Sequence, residues 1–521
     1  MSFYKSVIIN ALWSAAVLLS AMATVLAGQR EIRFPITDGA IIASPDEIGF
    51  LYDREIGFAY GFELSPNQLP NRLYSFSVAE SKVLEEFNLS AEFGSGIAHL
   101  KFNAHADTGL IAIASFVAGR QKLLVLKLDG SGHFSKLWAI AFPTSAGGFP
   151  SAIFNEDGTK IYAFYKDAKP RLAMINAEDG TILAATDLPT DFPDTTVEAL
   201  LLFDRTAKRP IVMTDDDVHI FAPESEGFRI EWSSPTPVGT LAGNGITISE
   251  DGRFLFGYTG SAVHIDPPLS TNNFLALDLK TKEFHQILLK SKLAPSSSAV
   301  AFHLPSGSIF VPYSGKIKIK KSGFEFVGKG SNKLDILQLG ADGQITQVTQ
   351  LIFPAGGADS NLANFISPHN NIALSETGAI GFISSLTLKR IFAFDTMTGE
   401  VVNEIPVPDA PTFIYRPEGH DLIVYANGTN KLVVLDIDPK PVISEIKVSK
   451  KRTMIRGANF LSGARVEVNG EDLGIADRNH DNPGHEITIN RGKKDFPAGQ
   501  DVTIVITNRD GLSSKPFTFR R

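Results

Sequence analysis

One pattern limits what this chain can fold into: an apolar strand, a tight turn carrying glycine, and a second apolar strand. It is read in FNEDGTKIYAFY (154–165), ISEDGRFLFGYT (248–259), HLPSGSIFVPYS (303–314), LSETGAIGFISS (374–385) and YRPEGHDLIVYA (415–426), with a degenerate copy in FDRTAKRPIVMT (203–214). Gly158, Gly252, Gly307, Gly378 and Gly419 stand at the turns, where a positive φ is cheap only for glycine. Gly158 and Gly252 are 94 residues apart, two units of 47. After each copy comes an alternating strand, a polar turn and an outer strand that ends near Pro or Ser, as in RLAMINAEDGTILAATDLP (171–189), NNFLALDLKTKEFHQILLK (272–290) and RIFAFDTMTGEVVNEIPVP (390–408). Period-two alternation of this kind predicts strands, and helical periodicity is almost absent after the first thirty residues.

Two hairpins in a unit of about 45–50 residues make a four-stranded antiparallel blade, and a series of such units makes a β-propeller. The count is eight, or seven if the irregular 38–90 stretch is not a unit of its own. The last copy, KLVVLDIDP (431–439), has no outer strand after it, whereas REIRFPIT (30–37) has no blade before it. Pairing 30–37 with 431–438 closes the ring and covers two edges that would otherwise template aggregation. The segment PHNNIALSETGAIGFI (368–383) resembles the recurring strand-turn-strand of the YVTN/lactonase-like propeller family of bacterial exported proteins. That resemblance implies the fold over roughly 410 residues. It also implies one candidate activity, water-driven opening of a lactone or sugar-derived ester at the channel mouth. Fold-level analogy alone carries no site.

The segment after the linker DIDPKP (436–441) is different. Pro441, the strand around Ile443 to Ile446, Ile455-Arg456-Gly457-Ala458-Asn459-Phe460, Gly463-Ala464, the strand Val466 to Val468 and the Asn469-Gly470 turn resemble the opening of an IPT/TIG domain. VTIVITNRDGLSSKPFTF (502–519) resembles its closing hairpin, with Asn508, Asp510 and Gly511 in the turn. About 80 residues suit one small immunoglobulin-like β-sandwich. The expected fold class is therefore all-β, a β-propeller followed by this sandwich. The expected domains are a signal peptide at 1–27, the propeller at 28–439 and the IPT/TIG domain at 440–521.

The signal-peptide reading rests on Lys5, an uncharged run up to Arg30, and Val25 and Ala27 placed as the −3 and −1 positions of a cleavage site. The alternative is an uncleaved anchor, since the uncharged run is long enough to span a bilayer. Either way the chain is expected to be exported: secreted, periplasmic or on the cell surface. It has no cysteine, which excludes disulfides, thiolate-ligated metals and cysteine nucleophiles. Residues 28–439 hold 33 basic and 47 acidic side chains, and residues 440–521 hold 15 and 10. An acidic body of this kind argues against nucleic acid as its partner.

No phosphate loop, HExxH or GxSxG is present. Eleven histidines are scattered singly. His369, in PHNN at the entry to an inner strand, is the one weak catalytic candidate; a turn histidine bonding its own backbone is the simpler reading. His99 and His303 stand beside other inner strands. No cofactor is expected. Calcium is the one cation that the Asp215-Asp216-Asp217 run would suit, although a solvated loop is the simpler reading. DRNHDNPGHEIT (477–488) fails as an EF-hand because Asn482 and Thr488 replace the required Gly and Glu. The Asp-Gly pairs read as turns.

The insertion SGKIKIKKSGFEFVGKGSN reads as an extra hairpin projecting from one blade, with Lys316, Lys318, Lys320, Lys321 and Lys329 alternating with Ile317, Ile319, Phe324 and Phe326. Lys316, Lys318, Lys320, Lys321, Phe324 and Phe326 are the candidate partner contacts. A guard against edge-to-edge aggregation explains the same lysines equally well. The function expected from the sequence is a non-enzymatic exported binding or scaffold protein that contacts a protein or glycan of the cell envelope. The alternative is a lactonase-like hydrolase. A membrane partner is expected only through an uncleaved N-terminal segment.

Overall fold

A computed structural model describes the chain from Gln29 to Arg521, apart from residues 36–39, 43–47, 52–54, 64–70, 95–99, 118–119, 144–149, 168, 189–199, 214–216, 226, 236–246, 250, 260–272, 290–292, 296–300, 321–322, 327–332, 354–371, 386–387, 410, 412, 416–420, 426–429, 438, 480–481 and 497. Nearly every described element is a strand, as the alternation requires.

Among the described residues, eight antiparallel sheets precede residue 437. Blade 1 spans residues 40–88, and its innermost position is shared by two short strands, Ala40–Ile42 and Ile48–Leu51, both paired with Ile56–Glu63. This is the irregular stretch that left the count open, and it forms a blade. Blades 2 to 7 span 100–142, 151–187, 200–235, 247–288, 293–352 and 372–406. Blade 8 is composite. Phe413–Tyr415, Asp421–Tyr425 and Lys431–Asp436 supply three strands, and Gln29–Arg33 supplies the outermost. The register runs from Gln29 opposite Leu435 to Arg33 opposite Lys431, as the two orphan sequence segments predict.

Each blade is too thin to bury its own apolar faces, so the cores lie between blades. Ile32, Phe34, Leu432 and Val434 of blade 8 pack on Phe50, Tyr74 and Phe76 of blade 1. Further cores join blade 1 to 2, 2 to 3, 3 to 4, 4 to 5, 5 to 6, 6 to 7 and 7 to 8. The ring is therefore closed. At the closing seam the Phe34 ring meets Tyr74 at 5.5 Å and Phe76 at 5.9 Å. Lys431 Nζ donates to Glu31 Oε1 at 2.9 Å and pairs with Asp409 Oδ2 at 3.0 Å. The hydrogen bond from Lys431 outweighs burial and holds the Glu31 carboxyl below its usual range. Burial pulls the Lys431 ammonium down, but the bonds to Glu31 and Asp409 more than offset this and raise it.

Residues 442–520 form two four-stranded sheets. Val442–Val448, Thr453–Ala458, Glu486–Ile489 and Asp477–Arg478 make one; Glu471–Ile475, Arg465–Val468, Asp501–Thr507 and Phe517–Arg520 make the other. They share one apolar core that includes Ile455, Phe460, Val466, Ile487, Ile504 and Ile506, which is the packing of a β-sandwich. The Asn469-Gly470 turn has positive φ at both residues, 50° and 86°, as the tight hairpin demands.

Candidate functional site

Antiparallel order gives the ring two unlike ends. In blades 1 to 7 the first and third connections emerge at one end, and the second connection and the link to the next blade emerge at the other. At the first end the described turns are short, such as 205–208 and 375–379. Their carboxylates are spent locally. Asp157 Oδ1 accepts from the Thr159 hydroxyl at 2.6 Å and its amide at 3.0 Å; these bonds hold its carboxyl below the usual range. The Thr181 amide does the same to Asp179 at 2.8 Å, and Asp129 accepts first from Ser131 and then from His133. These are the Asp-Gly turns expected from the sequence.

Histidines at this end act as wedges between blades. His105 of blade 2 places Nδ1 2.9 Å from Thr108 Oγ1 and Nε2 2.8 Å from the Glu156 carbonyl of blade 3. A Cβ on Gly158 would come within 2.8 Å of the His105 ring, and one on Gly378 within 2.1 Å of the His303 ring. Gly158 and Gly378 therefore do two things: they adopt φ of 70° and 66°, and they leave room for the preceding blade's histidine. His303 packs against the next blade's turn. His369, His99, Asp215 and Asp216 lie outside the described residues.

Longer connections join the strands at the other end, over 189–199, 236–246, 260–272 and 353–371. Such loops on a rigid scaffold are where binding residues concentrate. The expected hairpin is at this end. The second strand of blade 6, Ser308–Lys320, pairs with the blade's third strand only as far as Pro312 opposite Leu334. It stays paired with Leu293–Pro295 of the same blade as far as Lys316, and then runs on to pair with Gly323–Phe326, from Ile317 opposite Phe326 to Lys320 opposite Gly323. The register sets Ile317 and Ile319 opposite Phe326 and Phe324, and Lys318 and Lys320 opposite Glu325 and Gly323. Lys321 lies outside the described residues. At the same end of blades 5 and 6, the outer strands finish on Leu288 and Ile352, which are 65% and 68% exposed.

In the sandwich, Asn459 and Asn508, two of the residues that carried the sequence resemblance, meet at one loop end. Asn508 Oδ1 accepts from the Leu461 amide at 3.0 Å, and Asn508 Nδ2 donates to the Asn459 carbonyl at 2.8 Å. Asn459 takes a positive φ of 61°. Asp477 accepts from Asn490 at 3.4 Å, and Asn479 donates to Glu486 at 2.8 Å. Among the described residues no group of three His, Asp or Glu side chains is placed to hold a metal ion. No described helix is long and apolar enough to cross a membrane.

No protein-family model and no curated protein matches the chain. Solved structures do. Sqt1 of Chaetomium thermophilum, solved bound to the N-terminus of the ribosomal protein L10, is similar over 78% of this chain and 99% of its own, with 11% identity and a TM-score of 0.50. Sqt1 of the same organism alone gives 10% identity and a TM-score of 0.50 over 78% and 97%. BamB from Moraxella catarrhalis gives 10% identity and a TM-score of 0.43 over 77% of this chain and 100% of its own. At such identities the likeness establishes the fold alone, a β-propeller.

Proposed function

We propose that this chain is an exported, non-catalytic binding protein whose ring presents its long-connection end to a protein or glycan of the cell envelope. The observation that carries this reading is the hairpin of blade 6, whose second strand parts from the third after Pro312, stays paired with Leu293–Pro295 as far as Lys316, and then continues past the blade to pair with Gly323–Phe326. A strand that only filled the blade would stop at Lys316. Lysines on an acidic body supply long-range attraction to anionic groups, and salt screens it beyond about 8–10 Å. The N-terminal thirty residues support export, and the residues around Asn459 and Asn508 support the IPT/TIG assignment of the sandwich. Sqt1, with its bound peptide, is a precedent for a propeller that captures a protein segment.

The test is to replace Lys316, Lys318, Lys320 and Lys321 with Ser and to measure retention on heparin and on poly-glutamate against salt. A contact element predicts earlier elution and a shallower salt dependence with the fold intact, since a surface ion pair is worth only ~0–1 kcal/mol to stability. Unchanged elution together with greater light scattering would make the lysines edge guards and remove the support for this reading. Turnover of a lactone panel that is abolished by His369→Ala would replace it with the hydrolase.

A further inference from the structure

Blades 5 and 7 share the Ser-Glu-x-Gly turn, and both end their third strand on a buried aspartate, Asp278 and Asp395. One oxygen of each holds the next turn: Asp278 accepts from the Lys280 and Thr281 amides, Asp395 from those of Met397 and Thr398. The second oxygen needs a partner. In blade 5 it is Arg253, next to the turn glycine, whose Nη2 donates to Asp278 Oδ2 at 2.9 Å and to the Ala341 carbonyl at 3.0 Å. In blade 7 the residue after Gly378 is Ala379, which has no guanidinium. Arg509 of the sandwich brings one instead. Its Nη1 donates to Asp395 Oδ2 at 2.7 Å and its Nη2 to the Ala379 carbonyl at 3.2 Å. The Ser462 amide adds a second bond to the same oxygen at 2.7 Å.

A second substitution of the same kind lies beside it. In blades 1 and 5, the third residue past the left-handed turn residue, Leu84 and His285, packs on the turn glycine of the following blade, Gly132 and Gly343. Val402 holds that position in blade 7. Blade 8 has no third turn to offer, because its last two strands come from opposite ends of the propeller sequence. Gly484 of the sandwich fills the place, so close that a Cβ there would lie 2.4 Å from Val402 Cα. Leu461 enters the core between blades 7 and 8, and Arg478 pairs with Glu400. The basic tail thus meets the acidic body through two arginine–carboxylate pairs.

We infer that the sandwich is an intramolecular clasp. Its loop end is an interaction surface, and the partner it fits is the turn end of blade 7, where it supplies the guanidinium that blade 7 lacks and the turn glycine that blade 8 lacks. Its contacts with Asp395, Glu400 and Val402 lie at the turn end of the ring. Hydrogen exchange in the full-length protein tests this. The Ser462 amide is bonded across the interface, and the neighbouring Leu461 amide is bonded within the sandwich, to Asn508. Both should exchange slowly in the unaltered protein. Arg509→Ala should speed exchange at Ser462 on the order of a hundredfold and leave Leu461 protected, since it strips a buried carboxylate of its partner. Gly484→Ala, which touches a different part of blade 7, should do the same and decides the matter if Arg509→Ala also exposes Leu461. Fast exchange at Ser462 in the unaltered protein, or slow exchange in both variants, would overturn the clasp.

Discussion

Blade 5 and blade 7 solve one electrostatic problem with different parts of the chain. Each buries a carboxylate at the end of its third strand to fix the following turn, and a buried charge must be paired. Blade 5 pairs Asp278 with an arginine of its own turn, so the solution stays within the repeat. Blade 7 pairs Asp395 with Arg509, more than a hundred residues away and in another fold. The difference teaches that a repeat unit can leave one of its bonds to be made by a neighbouring domain. The vacancy then becomes a docking address.

The largest expected effect comes from removing each carboxylate. Asp278→Ala and Asp395→Ala should each cost about 3–5 kcal/mol, because a buried pair loses one partner and two turn amides lose their acceptor. Urea unfolding should show both losses. Only Asp395→Ala should separate a sandwich transition from that of the ring; a second transition in both variants, or in neither, breaks the comparison. Ala379→Arg sharpens it. An arginine in blade 7's own turn competes with Arg509 for Asp395 and crowds Leu461, at about 1–3 kcal/mol for overpacking. Small-angle scattering should show the sandwich displaced. An unchanged profile would mean that Asp395 does not choose between the two arginines.

Arg253→Ala should be milder, about 1 kcal/mol, since this arginine is partly exposed and water can replace some of its role. The melting temperature should fall slightly, with no separate sandwich transition. The smallest effect is that of pH. Burial raises the Asp278 carboxyl, but the Arg253 bond and the turn amides outweigh it and leave it below its ordinary value of 3.8. The bonds from Arg209 and Lys282 likewise hold Glu231, at the junction of blades 4 and 5, below 4.5. A carboxyl lowered in the folded state stabilises above its unfolded value and loses that contribution as pH falls through the folded one. Stability should therefore be flat above about pH 5 and decline below it, less steeply in Asp278→Asn. A decline of the same slope in that variant would remove Asp278 from the acid response.

Much of this was legible in the sequence because the ring repeats. Turn glycines and alternating strands fixed the blades from 154 to 426. The two orphan strands at the chain's ends pointed to each other because neither had a local partner. Blade 1 was ambiguous, since two short strands share the work of one. The first hairpin of blade 2, Leu100–His105 with Leu110–Val117, is a further copy of the motif, with Gly109 four residues after His105 as Gly307 is after His303. The wedge role of His105 and His303 depends on the next blade's turn, which no local window contains. The missing arginine at Ala379 can be seen by aligning the repeats, but its replacement cannot. Arg509 reaches Asp395 only once two domains of different fold have met.

Closure of the ring by Gln29–Arg33 underlies both the seam and the clasp beside it, and a cysteine-free chain allows a clean test. Glu31 and Val433 are directly opposed. The Phe34 amide bonds the Asn430 carbonyl at 2.8 Å, which makes Glu31 and Val433, three steps along, a non-hydrogen-bonded pair, where Cα atoms approach to about 4.5 Å. That spacing is within the range a disulfide spans, ~4.4–6.8 Å. Glu31→Cys with Val433→Cys, oxidised in the folded protein, should give one intramolecular crosslink, a faster-migrating band without reductant and no titratable thiol. Two free thiols in the folded protein would place the N-terminal strand elsewhere and contradict the closed ring.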